Sequence, residues 1–113
     1  MEAGPSTSVS GQLFVSNLYL YALIDSGATH SYITSGISGR LEGNRIKLSS
    51  PFITVTPAGD MYQSTFWYKD VPIKIQTHVL YANLIEIDMN DYDVILGMDW
   101  LSTHHTLIDC RRR

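Results

Sequence analysis

Residues Leu20–Thr29 read Leu-Tyr-Ala-Leu-Ile-Asp-Ser-Gly-Ala-Thr, and the rest of the sequence is organised around them. The apolar, β-prone run Leu18–Ile24 ends abruptly at an acid, and Gly27 permits the tight turn that follows. A buried isolated charge is costly, and loops at the ends of rigid strands commonly carry catalytic groups. Asp25 is therefore a candidate catalytic residue. Because Asp, Ser and Gly are also ordinary turn residues, a simple polar turn remains an alternative.

A second apolar run, within Asp93–Leu101, stops at Gly97 and restarts as a short predicted helix. Together the two segments resemble the retropepsin-like aspartic proteases, most nearly those of Ty3/gypsy-type long-terminal-repeat retrotransposons and cellular genes domesticated from them. Leu23–Ile33 resembles the active-site strand and loop of that family, and Tyr92–Leu101 resembles its later Ile-Leu-Gly element and C-terminal helix. Asp-Ser-Gly alone is a weak signal, but both motifs in this order and separation are specific, and the resemblance covers nearly the whole chain.

The resemblance assigns roles to the residues of the first motif. It implies that Asp25 is the catalytic residue and that Ser26 and Gly27 form the active-site loop. It also implies that Ala28 and Thr29 line the floor of a substrate groove. We expect no metal or organic cofactor, since this chemistry uses carboxylates and water.

A hairpin is predicted in the middle of the chain, where the β-rich arms Phe52–Thr56 and Met61–Phe66 flank a turn-forming stretch. In the resembling family this hairpin is a flap that closes over an extended peptide. The predicted tip, and the remaining predicted substrate-binding residues, are Pro57, Ala58, Gly59 and Asp60. An exposed hairpin without such a role is the alternative.

An aspartic protease needs two carboxylates, one acting as general base on water and the other donating a proton to the scissile carbonyl. This chain contains one Asp-Ser/Thr-Gly motif, so a single copy supplies half a site. The simplest completion is a C2 homodimer that brings two copies of Asp25 together across its axis. In many retroviral members an acid and an arginine form an ion pair near the dimer edge. Thr29 and Met98 occupy those positions here, so that pair is absent and no orphan charge remains.

Length and composition predict one globular domain. The chain has 113 residues, of which 44% are hydrophobic and 17% charged, which is typical of an ordered domain with a single modest core. We expect a flexible leader at residues 1–8, a protease domain at residues 9–110 and a basic tail at Arg111–Arg113. The single cysteine, Cys110, excludes an internal disulfide and fits a reducing compartment.

The sequence predicts an all-β fold, specifically a small closed β-barrel of retropepsin type with one short C-terminal helix. His30–Ser35 is predicted to enter a short strand or helical turn. The glycines at positions 36, 39 and 43 are interpreted as breaking the region that follows into loop, and Ser16-Asn17 as a tight turn. Trp100–Ser102 is the predicted helix. The predicted strands are Val9–Val15, Leu18–Ile24, Ile46–Leu48, Phe52–Thr56, Met61–Phe66, Val71–Ile75, Val79–Ile87, Val94–Leu96 and Thr106–Ile108.

The expected partners are a second copy of the chain and a polypeptide substrate, the Gag-Pol-type polyprotein of the same element. The longest apolar run is too short to span a membrane, and the net charge of −3 argues against a nucleic-acid-binding surface. The arginine tail is interpreted as a boundary, with RNA contact as the alternative. The resemblance implies a cytoplasmic location, including virus-like particles. A catalytically silent, domesticated assembly module with the same fold is the rival interpretation.

Overall fold

The computed structural model describes residues 8–55 and 59–104. Seven strands and two helical segments are present in these ranges, in the order β1 (Ser8–Val15), β2 (Leu18–Asp25), β3 (Tyr32–Thr34), α1 (Ser35–Ser38), β4 (Asn44–Val55), β5 (Met61–Ile75), β6 (His78–Ile87), β7 (Val94–Leu96) and α2 (98–104).

The first two strands form a tight antiparallel hairpin that carries Asp25 at its end. Val15 pairs with Leu18, so the connection has two residues, Ser16 and Asn17. Both have positive φ, 51° and 66°, as required in the type I′ turns whose twist matches a hairpin. The predicted turn and both predicted strands are confirmed.

The sheet closes on itself as predicted. Its strand order is β1-β2-β7-β3-β6-β5-β4, and an additional pairing of β1 with β5 joins Phe14 to Lys74 and Val15 to Ile73. Six strands thereby form a closed barrel, and β4 extends outside it, paired only with β5. Closure removes most free sheet edges, which protects a small β domain from edge-to-edge association.

The barrel encloses the main core. Ile33, Ile73, Leu84 and Leu96 are fully buried there, each from a different strand. Trp100 of α2 covers one side, with 3% of its surface exposed, and its indole N–H donates to the Leu80 carbonyl at 3.4 Å. The predicted helix at Trp100–Ser102 is confirmed within the longer α2.

The hairpin strands are longer than the sequence predicted. Ile46–Leu48 and Phe52–Thr56 were expected as separate strands, but β4 runs through Pro51 with a register shift between Lys47 and Phe52. Because β4 is an edge strand, Pro51 can lack an N–H donor without breaking a central ladder. The break predicted between the two halves of β5 is likewise only an irregularity in its pairing with β6, where Asp70 has φ 59°.

The region after β3 also differs from the prediction, because residues 35–38 form one helical turn instead of loop. The predicted tip residues Pro57 and Ala58, the strand Thr106–Ile108 and the tail Arg111–Arg113 lie outside the described residues, as does most of the predicted leader. Among the helices that the structure describes, none combines the length and apolar character needed to cross a bilayer.

The barrel core can be tested with one matched pair of substitutions. Ile73→Ala removes a fully buried side chain and should lower the free energy of unfolding by about 2–5 kcal/mol. Ile53→Ala makes the same change on β4, where the side chain is 48% exposed, and should stay within about 0.5 kcal/mol of wild type. Urea denaturation at one fixed protein concentration measures both, and equal losses would contradict this placement of the core.

Candidate active site

Asp25 is the last residue of β2, a strand that pairs with a neighbouring strand along each of its two edges. β2 pairs with β1 in antiparallel fashion and with β7 in parallel fashion, with Ile24 opposite Leu96. The Gly27 N–H donates to Asp25 Oδ1 at 2.9 Å, and the Ala28 N–H donates to the Asp25 carbonyl at 3.1 Å. The turn that follows the strand therefore fixes the direction of the carboxylate, which is partly buried.

The loop after Asp25 lies directly against the segment that joins β7 to α2. The Met98 N–H donates to the Ala28 carbonyl at 2.7 Å, and the Asp99 N–H donates to the Thr29 carbonyl at 3.2 Å. A Cβ at Gly97 would lie 2.2 Å from the His30 carbonyl oxygen and 2.6 Å from that of Ala28. Only glycine permits this approach, which explains the glycine of the second motif.

Ser31 joins the two segments from within the fold, where it is fully buried. Its hydroxyl donates to Asp99 Oδ1 at 2.6 Å and accepts the Gly97 N–H at 3.0 Å. The same carboxylate oxygen accepts the Trp100 N–H at 2.7 Å, at the start of α2. A hydrogen bond to a charged acceptor is stronger than one between neutral groups, so Asp99 fixes the loop and the helix together.

A groove of about 540 Å³ lies beside Asp25, between the active-site loop and the β4–β5 hairpin. The loop contributes Asp25 and residues 27–29, and the hairpin contributes residues on both arms. The remaining wall comes from β3, the end of β6, the connection from β6 to β7, and β7. The lining residues are Asp25, Gly27, Ala28, Thr29, Tyr32, Thr54, Val55, Asp60, Tyr62, Ile87, Met89, Asp91, Tyr92 and Ile95.

The structure brings together most of the predicted site residues that it describes. Asp25, Gly27, Ala28, Thr29 and Asp60 all line the groove. Two others lie next to it without lining it, and both are exposed: Ser26 in the loop, and Gly59, which has φ 94°, before Asp60.

Sequence reasoning missed the residues that support the loop and those that form the far wall. Asp99 carried a usable signal, because an acid at the start of a predicted helix is favoured by the unpaired N–H groups there. No such signal marked Ser31 or the wall residues Tyr62, Met89 and Asp91. Their proximity to the site depends on how the barrel closes.

The hairpin also contacts the active-site loop directly. The rings of His30 and Phe52 meet edge to face, with centroids 5.2 Å apart. Thr54 donates a long hydrogen bond of 3.5 Å to the Tyr32 hydroxyl. These contacts hold the β4 arm of the hairpin against the loop that follows Asp25.

Among residues 8–55 and 59–104, no group of three or more His, Cys, Asp or Glu side chains is placed to hold a metal ion. Thr29 is bonded locally, its hydroxyl 3.0 Å from His30 Nδ1, and Met98 is 39% exposed. Neither is charged, so an ion pair between these two positions cannot form.

The sequence matches a known protein family. The family model described as retroviral aspartyl protease matches residues 2–113. The chain belongs to the retroviral aspartyl protease family. No curated protein matches the sequence significantly.

Solved structures of this family have the same fold. The EIAV protease complexed with the inhibitor HBY-793 superimposes with a TM-score of 0.67 at 21% identity, over 88% of this chain and 89% of that one. The retroviral protease-like domain of Ddi1 from Leishmania major gives a TM-score of 0.61 at 16% identity, over 88% and 78% of the two chains. The expected retropepsin fold is thus confirmed.

The contact between the two motifs of this retroviral aspartyl protease domain can be tested at Gly97. Gly97→Ala places a methyl group against the Ala28 and His30 carbonyls and should lower the free energy of unfolding by about 1–3 kcal/mol. Gly11→Ala is the matched control, because no atom lies within 4 Å of its added Cβ. Denaturant unfolding measures both, and unchanged stability of Gly97→Ala would show that the loop is not held in this way.

Proposed function

We propose that the chain is an aspartic endopeptidase that acts as a homodimer and hydrolyses peptide bonds in the polyprotein of a Ty3/gypsy-type retrotransposon. The observation that supports this most strongly is the placement of Asp25. Its carboxylate is oriented by the Gly27 N–H and lines a groove beneath a hairpin, in a chain of the retroviral aspartyl protease family.

The proposed chemistry uses one Asp25 from each of two subunits. Neighbouring carboxylates cannot both carry a charge at low cost, so one is protonated while the other is ionised. The ionised carboxylate accepts a proton from water, whose oxygen forms a bond to the scissile carbonyl carbon. The protonated carboxyl donates to the carbonyl oxygen and stabilises the tetrahedral intermediate. Collapse of that intermediate breaks the C–N bond, and a proton is delivered to the leaving amine.

The homodimer follows from the number of catalytic motifs. The sequence has one Asp-Ser-Gly, and a two-fold axis beside the groove supplies its equivalent from an identical chain. We expect Ser26 to bond across this axis. Because Thr29 and Met98 are uncharged, the dimer would depend on backbone and apolar contacts instead of an ion pair at those positions.

We propose that the groove binds its substrate as an extended peptide. Main-chain hydrogen bonds then provide affinity, and pockets for alternate side chains provide selectivity. The β4–β5 hairpin closes over the peptide and excludes bulk water, aided by the His30–Phe52 contact at its base. Processing of a polyprotein would take place in the cytoplasm, within the particles that the element assembles.

The catalytic assignment can be tested with Asp25→Asn, which keeps an oxygen to accept the Gly27 N–H but cannot act as a base. Cleavage of a peptide library should fall by at least about 10²- to 10⁴-fold. Asp70→Asn is the matched control: it makes the same change at an exposed residue outside the groove, and asparagine tolerates the φ of 59° found there. Its activity should equal that of wild type.

Protein concentration provides a second measurement in the same assay. In dilute solution, wild-type activity should rise with about the square of total protein, because two chains must associate to form one site. Equal cleavage by wild type and Asp25→Asn would refute the catalytic assignment of Asp25, and no cleavage by either at any concentration and pH would favour the silent assembly module.

A further inference from the structure

The charge of the groove points to the side chains that its substrate carries. Besides Asp25, two carboxylates line the groove, those of Asp60 on the hairpin and Asp91 in the connection between β6 and β7. None of the described lining residues is a lysine, arginine or histidine. A concave site with one sign of charge concentrates ligands of the opposite sign.

Asp91 differs from the acids on either side of it in the same connection. Asp93 Oδ2 accepts the Tyr21 N–H at 2.8 Å, and Asp88 Oδ1 accepts the Ser35 hydroxyl at 3.4 Å. The side chain of Asp91 is exposed and makes no hydrogen bond or ion pair with another residue in the part of the chain that the structure describes. The Asp91 carboxylate therefore stabilises no contact within the described part of the fold, although the residue lines the groove.

The wall beside Asp91 is apolar and aromatic. Met89 and Ile87 are 7% and 5% exposed and line the same groove. Tyr92 is held in place by stacking on Tyr21, with ring centroids 5.1 Å apart. A lysine or arginine side chain matches these surroundings, because its aliphatic stem packs on apolar surface while its charged end approaches a carboxylate or an aromatic ring.

We propose that Asp91 gives the groove a preference for substrates that carry a lysine or arginine where the peptide passes the connection between β6 and β7, with apolar residues nearby. Asp60 strengthens the negative potential from the hairpin side. This inference rests on the proposed function, since it names the substrate class of the same groove.

The test uses peptides that differ at one position at a time. A single lysine is moved along an apolar peptide that the wild-type protein cleaves, and each peptide is compared with its methionine counterpart. At the one or two positions that pass an Asp91, one from each subunit, kcat/KM should be about two- to fivefold higher for lysine, the range expected of a solvent-exposed ion pair. The preference should shrink in 0.5 M NaCl because salt screens exposed charges.

Two variants assign the preference to Asp91. Asp91→Asn should abolish it, and Asp91→Lys should replace it with a preference for glutamate at the same position. Asp88→Asn removes the same charge three residues away, outside the groove, and should keep the lysine preference. Equal cleavage of lysine and methionine peptides by wild type, or an unchanged preference in Asp91→Asn, would overturn the proposal.

Binding to Asp25→Asn separates this proposal from the proposed function. Fluorescence anisotropy with the labelled peptides measures selectivity without turnover. We expect the Asp25→Asn variant to bind the lysine peptide more tightly than the methionine peptide, and the double variant Asp25→Asn/Asp91→Asn to bind both equally. This result supports the selectivity even if no Asp25-dependent cleavage is found. Equal binding of both peptides refutes the selectivity, while Asp25-dependent cleavage still supports the protease.

Discussion

The structure depends on the close crossing of two chain segments, the loop after Asp25 and the connection from β7 to α2. Gly97 permits the crossing, because any side chain there would collide with the carbonyls of Ala28 and His30. Ser31 and Asp99 then tie the segments together through buried and charge-assisted hydrogen bonds. This crossing places Asp25 at the end of a strand that is held by rigid elements, as a precisely positioned carboxylate requires.

The same crossing connects the barrel to the groove. β2 delivers Asp25, and β7, its parallel neighbour, leads into Gly97 and the helix that covers the core. Met89, Asp91 and Tyr92 of the groove lining come from the connection just before β7, so this part of the wall leads directly into the segment that supports the loop after Asp25. The hairpin lines the other side of the groove, and its outer strand β4 pairs only with β5 among the described strands.

Local sequence patterns were sufficient for much of this architecture. The first hairpin, its two-residue turn and β7 follow from alternation and turn residues, and the motif around Asp25 identified the loop that lies on the groove. The strands continue through Pro51 and Asp70 instead of ending there as predicted, although their pairing is irregular at both places. An edge strand tolerates proline, and a bulged strand tolerates an irregular residue. Ser35–Ser38 was missed because two of its residues are serine and one is glycine, which are poor helix formers.

The parts of the site that sequence could not predict are those created by barrel closure. Asp91 and Tyr62 are distant from Asp25 in sequence, and only the strand order brings them to one groove. Ser31 looked like one more polar residue after the motif, yet it is fully buried and bonded to both segments. Contacts between residues that are far apart in sequence depend on the strand order. They produce no periodic pattern of apolar residues in the local sequence.

The central claim is that each chain contributes one carboxylate to a site shared by two chains. The most direct measurement mixes wild type with a roughly ninefold excess of Asp25→Asn, at a concentration where the wild-type protein is already dimeric and substrate is in excess. If subunits exchange at random, most wild-type chains pair with a defective partner, and activity should fall about tenfold. Activity that stays unchanged once the chains have exchanged would show that a single chain carries a complete site, and would contradict this account.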